Sequence, residues 1–324
     1  MKRTAIVTGM TGQGGPYLAK YLLEQDYHVY GLVKRYSNPN LDNLTWLGID
    51  QDIELVTGDI TDDSIINNLV RSIRPTEFYN LAAQSFVGAS WELNKLTTEV
   101  NAIGPLNILN AIKMHASTTR FYQASTSEMY GNSNGEQQDE STPFHPRSPY
   151  GVSKLYAHWI TVNYRESYGL YACSGILFNH ESPLRGREFV TRKITDAVAR
   201  IKLGLADSVT LGNLESRRDW GFAGDFVEAM YLMLQQPQAA DYVIATDKQH
   251  SIREVLHTAF CHVGISEWEQ YVRSDPRFKR PAELHSLCGN STRARAALGW
   301  QPRMAFRPMI EQMVDADLAR LQPR

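Results

Sequence analysis

The stretch 4-TAIVTGMTGQGGPYLAKYLLEQ-25 decides the fold. It opens as a short apolar β-rich run, turns through Gly9, Gly12 and Gly15, and continues as an amphipathic helical pattern. Glycines let such a turn be tight and let a diphosphate approach the backbone, and a helix N-terminus favours the negative charge. The spacing is G-x-x-G-x-x-G rather than G-x-G-x-x-G, with Thr11 and Gln13 inside the turn. A strand before it and a helix after it make this a dinucleotide site rather than a structural turn.

The rest of the first half keeps the rhythm. The runs "HVYGLV", "IELVTGD", "EFYNLAA", "RFYQAS" and "YACSGILFN" are apolar nearly throughout, as strands covered on both faces are. Helical patterns lie between them. "TDDSIINNLVRSI" has Thr61 as its expected N-cap, and Ile65, Ile66, Leu69, Val70 and Ile73 recur at helical spacing. This alternation predicts an α/β fold, a doubly wound parallel sheet of Rossmann type, with a smaller C-terminal α/β substrate domain. The expected division is 1–178 for the nucleotide-binding domain and 179–324 for the substrate domain. That division is discontinuous, because the apolar segment "DWGFAGDFVEAMYLMLQ", within about 214–248, is expected to pack back on the first domain.

Composition excludes several classes. The 324 residues are 43% hydrophobic and 21% charged, with a formal net charge of -2. That balance argues against a nucleic-acid or membrane-surface binder. No apolar run approaches the roughly 18 residues of a membrane span, and "MKRTAIVTG" reads as a first strand rather than a signal peptide. Cys173, Cys261 and Cys288 have neither metal nor disulfide spacing, which fits a reducing cytoplasm and no metal site.

Further cofactor contacts follow from the strand ends. A site for NAD usually ends its second strand with an acid for the ribose 2′-hydroxyl. Here "GLVKRYS" offers Lys34 and Arg35, which suit the 2′-phosphate of NADP. Asp59, followed by Ile60, is placed to accept from the adenine amino group or simply to lead the next helix. "NLAAQS" carries Leu81, Ala82, Ala83 and Ser85 under the pyrophosphate and nicotinamide ribose.

The chemistry lies downstream. In "SPYGVSK", Tyr150 and Lys154 are four apart and share one face of a helix. Free tyrosine titrates near 10. A nearby ammonium and a nicotinamide cation would bring the phenol within range of neutral-pH acid–base work. "STSEMYG", Ser125 to Gly131, places Thr126 and Glu128 at a strand end, where ligands of an open sheet sit.

With these motifs the chain resembles the extended short-chain dehydrogenase/reductases over essentially its full length, and more narrowly the GDP-mannose 4,6-dehydratases among them. The resemblance rests on "TGMTGQGGPYLA", "FYNLAAQS", "RFYQASTSEMYG", the long run from Thr142 to Gly186, "FVTRKI" and "RRDWGFAGDFVEAM". It implies that Tyr150 removes the 4-hydroxyl proton while the C4 hydride goes to NADP. Glu128 then removes the acidified C5 proton and assists departure of the 6-hydroxyl as water, and the hydride returns to C6. Thr126 bonds the 4-oxygen. Lys154 orients the cofactor ribose and tunes Tyr150. A simple dehydrogenase has no use for Glu128.

The same resemblance puts His180 and Arg185 at the nicotinamide side. It assigns Ser85, Thr126, Glu128, Asn179 (read as the end of the sixth strand), Val190, Lys193 and Asn213 to the GDP-mannose site. It gives Arg218 and Arg280 to the diphosphate and Glu283 to the ribose hydroxyls. It also implies a homo-oligomer, dimer or tetramer. The run "KRYSNPNLDN" departs from the family's Arg-Arg-Ser/Ala-Ser loop, which makes the tetramer less secure. A sugar-nucleotide epimerase or 4-keto reductase would share fold and cofactor, and a cofactor-sensing protein without turnover is the alternative of a different class.

Overall fold

The computed structural model describes residues 2–34, 40–132, 136–275, 284 and 286–322. Its centre is a seven-stranded sheet. The strands are β1 (Arg3–Thr8), β2 (Tyr27–Val33), β3 (Glu54–Thr57), β4 (Glu77–Asn80), β5 (Arg120–Thr126) and β6 (Ala172–Leu177), with an edge strand Tyr242–Ile244. The spatial order is edge strand, β6, β5, β4, β1, β2, β3, and every pairing is parallel.

Successive side chains of a strand point to opposite faces. In β1, Ala5 and Val7 enter one core while Ile6 enters the other. In β4 and β5, Tyr79 and Tyr122 share the first face, and Phe78 and Phe121 the second. Both faces are covered, which is why these strands read as unbroken apolar runs. The helices that do the covering include α1 (Gly14–Glu24), α2 (Asp42–Leu47), α3 (Asp63–Ile73), α5 (Gly104–His115) and α6 (Pro149–Tyr168), with the short α4 (Asn94–Thr98) packed against α6.

The later helices are α7 (Val190–Lys202), α8 (Ala223–Gln235), α9 (Ile252–His262), α10 (Thr292–Leu298) and α11 (Phe306–Leu321). α8 packs on α1, β5 and β6, its Phe226, Met230 and Met233 joining the first core. α7, α9 and α11 build a separate core from Ile194, Val198, Val255, Phe260, Met309 and Met313. Short strands join these parts: Asn179–Glu181 pairs with Trp220–Phe222, and Arg217–Arg218 lies between His250–Ser251 and Ser286–Leu287.

Two local expectations need correction. The N-cap of α3 is Asp62, whose carboxylate accepts from the Ile65 amide at 3.2 Å. Thr61 instead donates its hydroxyl to Asp59 at 2.9 Å. The sixth strand stops at Leu177, and Asn179 opens the separate short strand rather than ending β6. The break falls at buried Phe178, whose amide bonds Ile244 O at 3.0 Å.

Candidate active site

The strand order reverses between β1 and β4, and a cleft opens above their carboxyl ends, as expected at a topological switch point. Two adjoining cavities, about 340 and 300 Å³, share Gly9, Thr11 and Ala83 as walls. The glycine turn forms the floor. Gly9 sits at φ +76, and a Cβ there would come within 2.9 Å of the Leu81 carbonyl. A Cβ on Gly15 would lie 2.5 Å from Gly9 O, so only glycine lets α1 start this close to β1. No side chain caps the α1 N-terminus, which leaves its first amides for an anion in the cleft.

The turn is braced by groups that local sequence patterns do not mark. Gln13 donates from Nε2 to His180 O at 2.7 Å and accepts from the Ser182 hydroxyl at 2.9 Å. Asn43 of α2 donates to Gly12 O at 2.8 Å. The Gln13 amide is thus committed to the protein.

The smaller cavity is lined by Lys34, Asp59, Ile60 and Ala82. Lys34 Nζ lies 3.1 Å from Asp59 Oδ2. Burial raises the Asp59 pKa, but hydrogen bonds from Thr61 and Lys34 outweigh it and hold the carboxyl below its ordinary value. Arg35 lies outside the described residues.

The larger cavity gathers Leu81, Ala83, Ser85, Thr126, Glu128, Tyr150, Lys154, Asn179, His180 and Arg185. β5 delivers Thr126 at its last position, and the 3₁₀ turn Ser127–Met129 then swings Glu128 into the cleft. Thr126 Oγ1 accepts from the Glu128 amide at 3.3 Å and fixes that turn. α6 delivers Tyr150 and Lys154 from its first turns, capped by Ser148 accepting from the Gly151 amide at 3.0 Å. A Cβ on Gly151 would meet Glu128 O at 2.9 Å, so α6 and the 3₁₀ turn approach backbone to backbone at this point.

Burial pushes the Tyr150 phenol up to about 12, and the Glu128 charge adds to the rise. A hydrogen bond with Thr126 and the Arg185 cation act in the opposite sense. Lys154 donates to Ala124 O at 2.9 Å, and burial alone draws it down to about 8. The folded protein therefore holds that proton less tightly than the unfolded chain. The contribution of this one group to stability therefore rises with pH from about 8 toward the ordinary lysine range, while the Cys173 and Cys288 thiols, pushed up by burial, act in the opposite sense. Over that window the melting temperature of the cofactor-free protein should change less favourably with pH in Lys154→Met than in the unmodified protein. An identical slope in Lys154→Met would locate the titration elsewhere.

His180 stacks on Phe226 at 4.9 Å, and its Nδ1 faces Phe178 O at 3.0 Å. Burial lowers its pKa to about 4, so the ring is neutral and Nδ1 carries the proton it donates. Arg185 is held by buried Glu181 at 3.1 Å and stacks 3.5 Å above the Phe189 ring. The Glu181 carboxylate also accepts from Thr191 on α7.

Four expected substrate residues stand apart from the walls of the larger cavity. Val190 and Lys193 occupy the first turn of α7, next to the wall residue Phe189. Burial lowers the Lys193 pKa. Asn213 accepts from the Glu215 amide at 3.0 Å as an Asx turn. Arg218 is buried, and its Nη1 donates to Arg217 O at 2.8 Å. Arg280 and Glu283 lie outside the described residues.

Comparison with known proteins agrees with this geometry. The family model described as GDP-mannose 4,6 dehydratase matches residues 6–313. The chain is 49% identical over 327 residues to GDP-mannose 4,6 dehydratase 1 of Arabidopsis thaliana, covering 98% of this chain and 90% of that protein. It is 45% identical over 341 residues to the Homo sapiens GDP-mannose 4,6 dehydratase, covering 98% and 92%. Among solved structures, a UDP-glucose 4-epimerase from Thermus thermophilus in complex with NAD is similar at TM-score 0.84 and 28% identity, covering 97% of this chain and 98% of that one. With a family match from the glycine turn to α11 and a cleft that assembles Thr126, Glu128, Tyr150 and Lys154, the chain belongs to the GDP-mannose 4,6 dehydratase family.

Proposed function

We propose that the protein converts GDP-mannose to its 4-keto-6-deoxy product and water by an internal redox reaction that consumes no cofactor. The observation that carries this reading is Glu128 beside Tyr150 and Thr126 in one cleft. Tyr150 takes the 4-hydroxyl proton, with Thr126 holding the same oxygen. Lys154, a wall of the same cavity, would hold the nicotinamide ribose and steady the phenolate charge. Glu128 takes the C5 proton, made acidic by the 4-ketone, and helps the 6-hydroxyl leave as water. A sugar-nucleotide epimerase or 4-keto reductase would share the cleft but has no step for this carboxylate.

The cradle fits a dinucleotide. Its glycines leave no room for Cβ atoms, and the uncapped start of α1 faces the cleft. When bound, the cofactor supplies a reversible hydride acceptor. NADP rather than NAD is favoured because β2 ends at Val33 followed by Lys34, a cavity wall residue, with no acid at that place. Arg35 would add a second cation to the 2′-phosphate. Arg218, Arg280 and Lys193 would serve the nucleoside diphosphate, with Asn179, Val190, Asn213 and Glu283 around it.

We also read 1–178 as the cofactor domain and 179–324 as the substrate domain, with about 214–248 returned to the first. The exposed Val152, Tyr156 and Trp159 share one face of α6 and support a homo-oligomer. No helix among the described residues is long and apolar enough to cross a membrane.

The test is a mass spectrum after incubation with GDP-mannose and a trace of NADP. Loss of one water per sugar nucleotide, well beyond the cofactor supplied, is the expected result. An unchanged mass would overturn the dehydratase reading.

A further inference from the structure

Beneath the cleft runs a buried chain of side-chain hydrogen bonds that crosses three strands. Thr8, Asn80 and Gln123, on β1, β4 and β5, have no exposed surface. Thr8 donates to Asn80 Oδ1 at 2.7 Å, Asn80 Nδ2 to Gln123 Oε1 at 2.9 Å, and Gln123 Nε2 to Ala124 O at 3.0 Å. Lys154 Nζ donates to that same carbonyl at 2.9 Å.

The direction of the chain is fixed from its far end. Thr8 Oγ1 accepts from the Leu81 and Ala82 amides at 3.0 and 2.9 Å, so its proton must go outward, to Asn80. Each amide is then oriented by the one before it, and such chains polarise cooperatively in a low dielectric. The β4–β5 pairing ends at Asn80 and Gln123. The next carbonyl on β5, Ala124, is met by the Gln123 amide and the Lys154 ammonium instead.

We propose that Gln123, oriented through Asn80 by Thr8, is a positioning residue that acts on catalysis through the Ala124 carbonyl and the Lys154 ammonium it anchors. Asn80 and Gln123 line neither cavity and Thr8 lines only the smaller one, whereas Ala124 and Lys154 both line the larger. The proposal rests on the catalytic role given to Lys154 above. The chain also joins the Leu81–Ala82 segment, which lines the cofactor cavities, to the lysine on the opposite side of the same cleft.

The test is a double-mutant cycle on the full chain with NADP and GDP-mannose. Gln123→Glu keeps an acceptor for Asn80 but replaces the donor at Ala124 O with an acceptor that also competes for the ammonium. It should lower kcat about tenfold, with the KM for GDP-mannose changed less than about threefold. In a Lys154→Met background the same substitution should cost less than about twofold more, because its route of action is gone. Equal costs in both backgrounds would make Gln123 merely structural and overturn the proposal. Full turnover by Gln123→Glu beside a crippled Lys154→Met would also overturn it, with the Lys154 reading intact. Full turnover by Lys154→Met would instead remove the reading on which it rests. Should Gln123→Glu fail to fold, Asn80→Asp asks the same question. Its second oxygen would turn the Gln123 amide around, and unchanged kcat there would equally overturn the proposal.

Discussion

Glu128→Gln should slow water loss from GDP-mannose by about 10²- to 10⁴-fold, roughly 3–5 kcal/mol of transition-state stabilisation. Glutamine keeps the volume and the hydrogen-bonding reach of glutamate, so the 3₁₀ turn held by Thr126 should survive. It cannot take a proton. The damage should therefore fall on elimination and not on the preceding oxidation, which depends on Tyr150. Mixing the variant with GDP-mannose and NADP in equal amounts should leave the reduced-nicotinamide absorbance visible, while the mass of the sugar nucleotide shows no water lost. Dehydration at near the unmodified rate would exclude Glu128 as the base.

Tyr150→Phe should cost a comparable factor, about 10²- to 10⁴-fold, but at the earlier step. Its phenol is buried, hydrogen-bonded with Thr126, and pushed up to about 12 in the unliganded protein. A base that holds its proton so firmly at neutral pH becomes effective only when positive charge arrives beside it. Removing the hydroxyl leaves the 4-hydroxyl without a proton acceptor, so no reduced-nicotinamide absorbance should build up. GDP-mannose binding should persist, since the contacts proposed for the nucleotide are other residues. Absorbance building up in Tyr150→Phe as fast as in the unmodified protein would move the first proton transfer to another group. Together the two variants separate oxidation from elimination by one optical signal.

Much of this arrangement was legible in the residues. Six apolar runs became six parallel strands, and in β1, β4, β5 and β6 burial on both faces leaves no alternation to confuse the reading. The glycine turn and the Tyr150–Lys154 pair could be placed because each is local, defined by a few residues at fixed spacing. The seventh strand, Tyr242–Ile244, is only three residues long and sits in a segment without periodicity. The N-cap of α3 was misplaced by one residue because Thr61, Asp62 and Asp63 are all capping types, and the choice depends on where Asp59 already holds Thr61. The split after Leu177 depends on Trp220–Phe222 arriving from forty residues downstream. The brace on the glycine turn and the buried chain from Thr8 to Ala124 join residues far apart in sequence and become visible only when the strands are side by side.

The bare backbone contact between Gly151 and Glu128 has a bearing on how this protein can be altered. At this point the elements that carry Tyr150 and Glu128 meet main chain to main chain, with no side chain between them that could be exchanged. Substitutions around the sugar can therefore be explored widely to change which hexose is accepted while that separation stays constant. Position 151 itself should tolerate no such freedom: the smallest added methyl would push the helix outward and open the gap, silencing activity from a residue that touches no ligand.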